Sequence, residues 1–311
     1  MLRFATYNLF NLGSVKSRQE QDRYDLLVQV IRDLDPDVLA VQEIIGRTPE
    51  AAATVLRRLA DDTGLDCRAV RPHDDSAPTL ALASSTHDFH TAVLWRPGIE
   101  PVRGGWRGYD GGVDFWHSMT TVALDVGGPE PVKFASYHGD PFRGDFRFNE
   151  ARRVHSAFRS GVLGAIGSDS NSISADRRPD GTYYDHDPYT EQDHEWLEYQ
   201  VRWRENPDDP PVADRRAGEV LRRGGLLDAA AVLDAPWQPS AGHWSDESGD
   251  PDIWGERRID HARVTRRLAP ALRTHRIVRT EQSLAASDHC PVVAELDLRA
   301  LAQASPFEER R

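Results

Sequence analysis

The chain has 311 residues, 39% of them hydrophobic, and a formal net charge of −12. That is enough to bury a sizeable core in one large α/β domain or two small ones, while the negative balance argues against holding long duplexes by general electrostatic attraction. No apolar stretch approaches the ~20 residues that span a bilayer, and a strand pattern opens at Leu2 with no signal peptide before it, so a cytoplasmic protein with no membrane role is expected.

Residues Leu2 to Leu9 alternate as a strand. From Tyr24 to Leu34 the spacing puts Leu27, Val30, Ile31 and Leu34 on one helical face, and Pro36 ends the helix. The run Val38 to Val41 reads as a strand buried on both faces, delivering Glu43 to its end. Thr48 and Pro49 open a second helix that turns Val55, Leu56 and Leu59 inward and ends near Gly64. Strands are predicted at Thr91 to Trp95, Thr120 to Val126 and Val132 to Tyr137, then a helix from about Arg147 to Phe158 and an apolar run, Val162 to Ile166, that leads to Asp169.

The texture then changes. Residues 172–211 are polar, aromatic and proline-bearing, with Trp196, Tyr199 and Trp203 at helical spacing, and read as an inserted lid or wall beside a site. A helix is predicted over Asp214 to Arg223, a short helix or loop over Leu226 to Leu233, and strands over Ile259 to Val264, His275 to Val278 and Val292 to Leu298; residues 299–311 form a loose tail. Strand and helix alternate as in an α/β protein, and two halves meeting near residue 145 could each supply one sheet.

Several apolar runs end on a residue that does chemistry. The words are Thr6-Tyr7-Asn8, Val41-Gln42-Glu43, Tyr137-His138-Gly139, Gly167-Ser168-Asp169-Ser170-Asn171, Arg258-Ile259-Asp260-His261 and Ser287-Asp288-His289. Carboxylates, amides and imidazoles at such positions suit metal-assisted phosphoester chemistry: a divalent ion offsets the phosphoryl charge that repels a nucleophile. Hard oxygen ligands favour magnesium, with manganese a possible substitute, and Glu43 is the first candidate ligand. Water needs a base near neutral pH, and His289 is the candidate. Asp169 and Asn171 alternate along an extended segment, so both side chains reach one phosphate, Asp169 orienting the water and Asn171 donating to an oxygen. His138 is expected to bind the opposite side of the phosphate or to protonate the leaving oxygen.

Taken in order, these words resemble the endonuclease/exonuclease/phosphatase superfamily over about residues 2–298. The resemblance implies a single domain over 1–298, built as a four-layer α/β/β/α sandwich of two mixed sheets flanked by helices. It adds Asn8 and Asp288 to Glu43 at the metal, and makes Asp260 the carboxylate that holds His289 in one tautomer. Ser168 departs from the superfamily's usual Gly-Asp-x-Asn, and Gly139-Asp140-Pro141 replaces the leucine that normally follows the histidine. No carboxylate stands where the deoxyribonuclease branch braces this histidine; Phe89 and His90 occupy that position.

Each residue also has a plainer reading. Asn8 suits a strand end, Glu43 a solvent carboxylate, Asp288 a turn cap, and Asp260 an exchange with Arg257 or Arg258 that is worth little. His87, His90, His186, His194 and His243 read as structural or exposed. Cys67 and Cys290 are too few for a disulfide framework and read as small buried hydrophobes in a reducing compartment. All but Lys16 and Lys133 of the 38 basic residues are arginine, whose fork matches phosphate, although a G- and C-rich genome produces the same excess. The leading expectation is a magnesium-dependent nuclease or phosphodiesterase acting on nucleic acid, with no obligate protein partner. A phosphatase for a small phosphorylated metabolite, and a silent binding protein of the same fold, are the alternatives.

Overall fold

Capping chemistry sets the first helices. In the computed structural model, which describes residues 1–69, 79–159, 161–190, 197–206, 208–245, 252 and 255–303, Ser17 and Glu20 form a reciprocal capping box and start a helix at Arg18, six residues before the amphipathic stripe begins. It ends at Asp35, a left-handed residue whose N–H caps the last turn. Thr48 caps the second helix, Pro49 fills its first position, and left-handed Gly64 closes it.

In chain order the main strands are β1 (Leu2–Leu12), β2 (Val38–Ile45), β3 (Phe89–Trp95), β4 (Ser118–Asp125), β5 (Val132–His138), β6 (Gly164–Asp169), β7 (Asp260–Thr265), β8 (Leu272–Ile277) and β9 (Val292–Leu296). The helices that cover them are α1 (Arg18–Leu34), α2 (Pro49–Thr63), α3 (Gly144–Ala157) and α4 (Arg216–Arg223). One sheet runs β8-β9-β1-β2-β3 and ends on Leu82–Ala83; the other runs from Leu226–Asp228 through β7-β6-β5-β4 to Glu100–Pro101. Only β1 with β2 and β5 with β6 pair in parallel within these series, so both sheets are mixed.

Three apolar layers make this a four-layer sandwich. Phe4, Val38, Val93, Phe134 and Val264 fill the space between the sheets, where the Phe4 and Phe134 rings lie 5.4 Å apart; burying each ring contributes about 1.5–3 kcal/mol. Leu27, Ile31, Leu56 and Leu59 pack α1 and α2 on one outer face, and Val154 and Leu221 pack α3 and α4 on the other. Gly167 permits close sheet approach: a Cβ there would lie 2.4 Å from the Thr6 Cβ and 2.8 Å from the Ala40 Cβ.

The two halves do not divide into two sheets at residue 145. The strands from Leu2 to Trp95 are joined by β8 and β9, and β9 pairs antiparallel with β1 with Leu2 opposite Leu296. Periodicity fixes which residues form strands, whereas long-range pairing decides which sheet they join. Among the described residues no helix is long and apolar enough to cross a membrane. The predicted tail begins with a short helix, Arg299–Gln303; residues 304–311 lie outside the described residues.

The segment after Asn171 is anchored by buried charge. Asp185 receives both forks of Arg258 at 2.7 and 2.8 Å, Arg258 also donates to Asp228 at 2.7 Å, and Arg263 donates to Asp176 at 2.8 Å. Charges this deep persist because they are paired and hydrogen-bonded, so Arg258 is committed to Asp185 and Asp228, not to Asp260. Trp196 lies outside the described residues, Tyr199 sits in a turn before a two-residue strand, and Trp203 is exposed, so their spacing does not mark a helix.

Candidate active site

Two strands, β1 and β2, are bent where the site begins. Phe10, Asn11 and Glu43 all have positive φ, and the β1–β2 register shifts between Asn8 and Leu12. Side-chain residues held in that backbone region are uncommon and persist where their surroundings fix them. The bend turns Glu43 inward: its carboxylate accepts from Asn8 Nδ2 at 3.0 Å and the Asn11 N–H at 2.7 Å. Asn8 Nδ2 also donates to Asp169 Oδ2 across the sheets at 2.9 Å, so one amide joins the ends of β1, β2 and β6.

His289 comes from the turn before β9 and Asp260 from the start of β7. Their Nδ1 and Oδ2 atoms are 2.8 Å apart, which places the proton on Nδ1 and turns Nε2 toward Asp169, 3.8 Å away. Burial opposes charge on this imidazole, but Asp260, Asp169 and Asp288 outweigh it and hold His289 well above the ordinary histidine value. Ser240, which no sequence signal singles out, donates to Asp260 Oδ2 at 2.6 Å and accepts the N–H groups of Ile259 and Asp260.

His138 Nε2 lies 3.4 Å from Asp169 Oδ2. Burial works against its charged form, yet the contact with Asp169 raises His138; Asp169 in turn is held low, against its own burial, by His289 and His138. Asn171 does not face the site by strand alternation: β6 ends at Asp169, and Asn171 is left-handed, with its N–H on Asp169 Oδ1 at 2.9 Å and its side-chain amide on the Gly139 carbonyl at 3.1 Å. The glycine after His138 has its reason here, since a Cβ at Gly139 would lie 2.7 Å from the Ser170 oxygen.

A second imidazole covers His138. The His117 ring stacks on His138 with centroids 4.1 Å apart and planes 17° from parallel, and the Nδ1 atoms of both are buried without a partner. Burial, reinforced by the neighbouring His138, pushes His117 down to about 2, so it stays neutral. His87 stacks on Trp116 at 3.6 Å beside it. These rings, with exposed Phe142, wall a cavity of about 580 Å³ that opens onto Glu43, His138, Asp169, Asn171 and His289. Among the residues described, none of the segment 172–211 lines this cavity.

The donor set fits a divalent cation. Glu43, His138 and Asp169 bring one ligand atom each within 4.8 Å of one another, as do Asp169, Asp260 and His289. Asp288 falls outside both triples, but burial together with the charges of Glu43 and Asp169 pushes its carboxyl up to about 6, despite the opposing effect of His289. The raised Asp288 carboxyl beside Glu43 and Asp169 marks carboxylates crowded together, and a metal ion would supply positive charge there. A third cluster, Asp185, Asp228 and His261, is already neutralised by Arg258 and Arg263.

Comparison with known proteins bears on the fold and the family. Among solved structures, an AP endonuclease from Archaeoglobus fulgidus superposes with a TM-score of 0.59 at 16% identity, over 96% of this chain and all of that one. A mannosyl-6-phosphatase from Bacteroides thetaiotaomicron gives 0.58 at 16% identity, again over 96% and 100%, and a humanized D. rerio TDP2 gives 0.56 at 12%, over 95% and 98%. At these identities the likeness is one of fold. No curated protein matches the chain by sequence. Residues 5–289, which run from the middle of β1 to His289 and so contain every strand end described above, match the Endonuclease/Exonuclease/phosphatase family; the chain belongs to that family and is a metal-dependent hydrolase of phosphoester bonds.

Proposed function

We propose that this protein is a magnesium-dependent nuclease or phosphodiesterase that hydrolyses P–O bonds in nucleic acid. The observation that carries the reading is the His289–Asp260 pair at 2.8 Å facing Asp169 and Asn171 across a cavity whose far wall is stacked rings. His289 Nε2 takes a proton from water, the water oxygen bonds to phosphorus, and the bond to the leaving oxygen breaks with its electron pair. Asp260 holds the imidazole in the acting tautomer and steadies its charged form. Asp169 orients the water, Asn171 donates to a phosphoryl oxygen, and His138 supplies the proton that the leaving oxygen takes up.

Glu43, Asn8 and Asp288 are the residues assigned to hold the ion, and magnesium is the ion that hard oxygen donors favour, with manganese as substitute. When bound, such an ion neutralises phosphoryl charge and by repulsion draws the His289 imidazole down toward the range in which a base works. Bases stack on flat aromatic and imidazole faces regardless of sequence, which is the support for a nucleic-acid substrate given by Trp116, His87 and Phe142. Two buried free cysteines support a reducing, cytoplasmic setting.

A second reading, a phosphatase for a small phosphorylated metabolite, draws support from the net charge of −12 and from Asp88 in the cavity wall. The test is hydrolysis of single- and double-stranded DNA, RNA and small phosphomonoesters, with magnesium or with a chelator, and with His289→Ala as control. Polymer cleavage that needs both metal and His289 is the expected result. Release of phosphate from monoesters alone moves the assignment to the phosphatase.

A further inference from the structure

A second cavity, of about 700 Å³, lies within the segment that follows Asn171, a size in the range of ligand pockets. Its walls carry both signs of charge, but the two signs are not equally free. Asp185 is occupied by Arg258, Asp214 by Arg216, and Glu219 by Arg222 and Arg223. Asp187 accepts the N–H groups of Tyr189 and Ala213 at 2.9 and 3.0 Å.

The arginines are in the opposite condition. Arg177 and Arg215 lie over the Tyr183 ring, 4.0 and 4.1 Å from its centroid, and donate only to main-chain oxygens, of Gly181 for the first and of Ser174 and Asp185 for the second. Among the described residues neither is ion-paired, and exposed Arg202 has no recorded partner at all. Stacking on a ring fixes a guanidinium plane, and the edge N–H groups not spent on main-chain oxygens remain for an oxyanion. Two such groups, with Arg202, around one hollow make a site for more than one phosphate.

The chain also sets how far this hollow is from the chemistry. Asn171 lines the catalytic cavity and Ala175 lines this one; four residues span at most about 14 Å, or about four phosphate repeats of a stacked strand. Arg216 in its wall reaches across to Asp145 at 2.6 Å, at the start of α3 and just beyond the Pro141–Phe142 edge of the catalytic cavity.

We infer that the Arg177–Tyr183–Arg215 stack and Arg202 form a second site, which binds the phosphodiester backbone of a nucleic-acid strand running out of the catalytic cavity. This inference rests on the nuclease reading above for its choice of ligand. The site selects polymer over small phosphoesters, and it gives an acidic protein a local cationic track.

The test separates the two ideas. Anisotropy of a labelled ten-nucleotide single strand is titrated with protein under chelator, across a range of salt, for the parent and for Arg177→Ala/Arg202→Ala; both arginines are exposed, so the fold is expected to survive. Expected are a loss of affinity of about tenfold or more and a slope of log K against log salt shallower by about 1.4, the share of two phosphate contacts, with magnesium-dependent turnover of bis(p-nitrophenyl) phosphate unchanged. Unaltered affinity and slope overturn the site, as does an equal loss of turnover on the small ester. Tripolyphosphate binding that depends on these arginines, without strand binding, overturns the choice of ligand. Arginine-dependent strand binding by a protein that cleaves no polymer upholds the site and removes the nuclease reading instead.

Discussion

On the proposed mechanism His289 and Asp260, 2.8 Å apart, act as a unit, so their substitutions are expected to behave alike. His289→Ala should lower kcat by about a thousandfold with little change in KM, because a base acts in the transition state; Asp260→Asn, which removes the acceptor that fixes the tautomer, should fall within the same 10²–10⁴ range. Steady-state kinetics on a cleavable ester checks both, and near-normal turnover in either removes that residue from the mechanism. Glu150 gives a pH signature that owes nothing to metal binding. It is fully buried, accepts from the Trp116 and Asp140 N–H groups and from the Tyr137 hydroxyl, and is pushed by burial from 4.5 to about 7. Because the folded value is raised, the stability it contributes is complete below about pH 4.5 and is lost as pH rises through about 7, a change of at most about 3 kcal/mol. The metal-free protein should therefore melt lower at pH 8 than at pH 5, and Glu150→Gln should flatten that difference; an unchanged slope would count against the assignment. At this scale the sequence singled out polar residues at the edges of apolar runs, Glu43 after one and Asp260 before one, and the fold brings both to the same cluster of groups. It was silent at Ser240 and His117, ordinary residue types whose roles arise from neighbours far away in the chain.

Strand ends and close sheet contact position these groups. Gly167 sits between the sheets against Thr6 and Ala40, two residues before Asp169. Gly167→Ala should cost about 1–3 kcal/mol by overpacking and, by moving Asp169 away from Asn8, lower kcat as well. Denaturant midpoint and turnover measured together test this; a destabilised variant with full activity would show that the sheets separate without disturbing the site. Most elements were legible from their period, because Leu27 to Leu34 and Val38 to Val41 obey simple burial rules. The left-handed turns at Glu43 and Asn171 were not, since no glycine marks them and only tertiary contacts hold them there. The spacing of Tyr199 and Trp203 misled because aromatic residues at that interval need not share a helical face: Tyr199 sits in a turn and Trp203 is exposed.

Taken as a whole, the molecule gathers its candidate metal ligands from β1, β2 and the turn before β9. A divalent ion bound there joins segments from the two ends of the chain and should stabilise the fold by about 2.7 kcal/mol at a hundred times its Kd. Magnesium should raise the melting temperature of the parent, and Glu43→Gln should reduce that rise and increase the magnesium needed for half-maximal activity by about tenfold; unchanged metal dependence would mean the ion is held elsewhere. The four-layer order was legible through family resemblance, while the return of the chain to its first sheet was not, because pairing across so long a separation leaves no mark on local pattern. The β1–β9 pairing has a consequence for the protein while it is being made. At ribosomal speed the stretch from Glu43 to His289 takes roughly 12–50 s to make, so the proposed base and β9, which pairs with β1, are made long after the residues they join. Glu43 and Asp169 are therefore in place before the residues that pair with them from the C-terminal side of the fold. On the proposed mechanism, a hydrolase assembled in this order gains its activity only once the turn before β9 is in place.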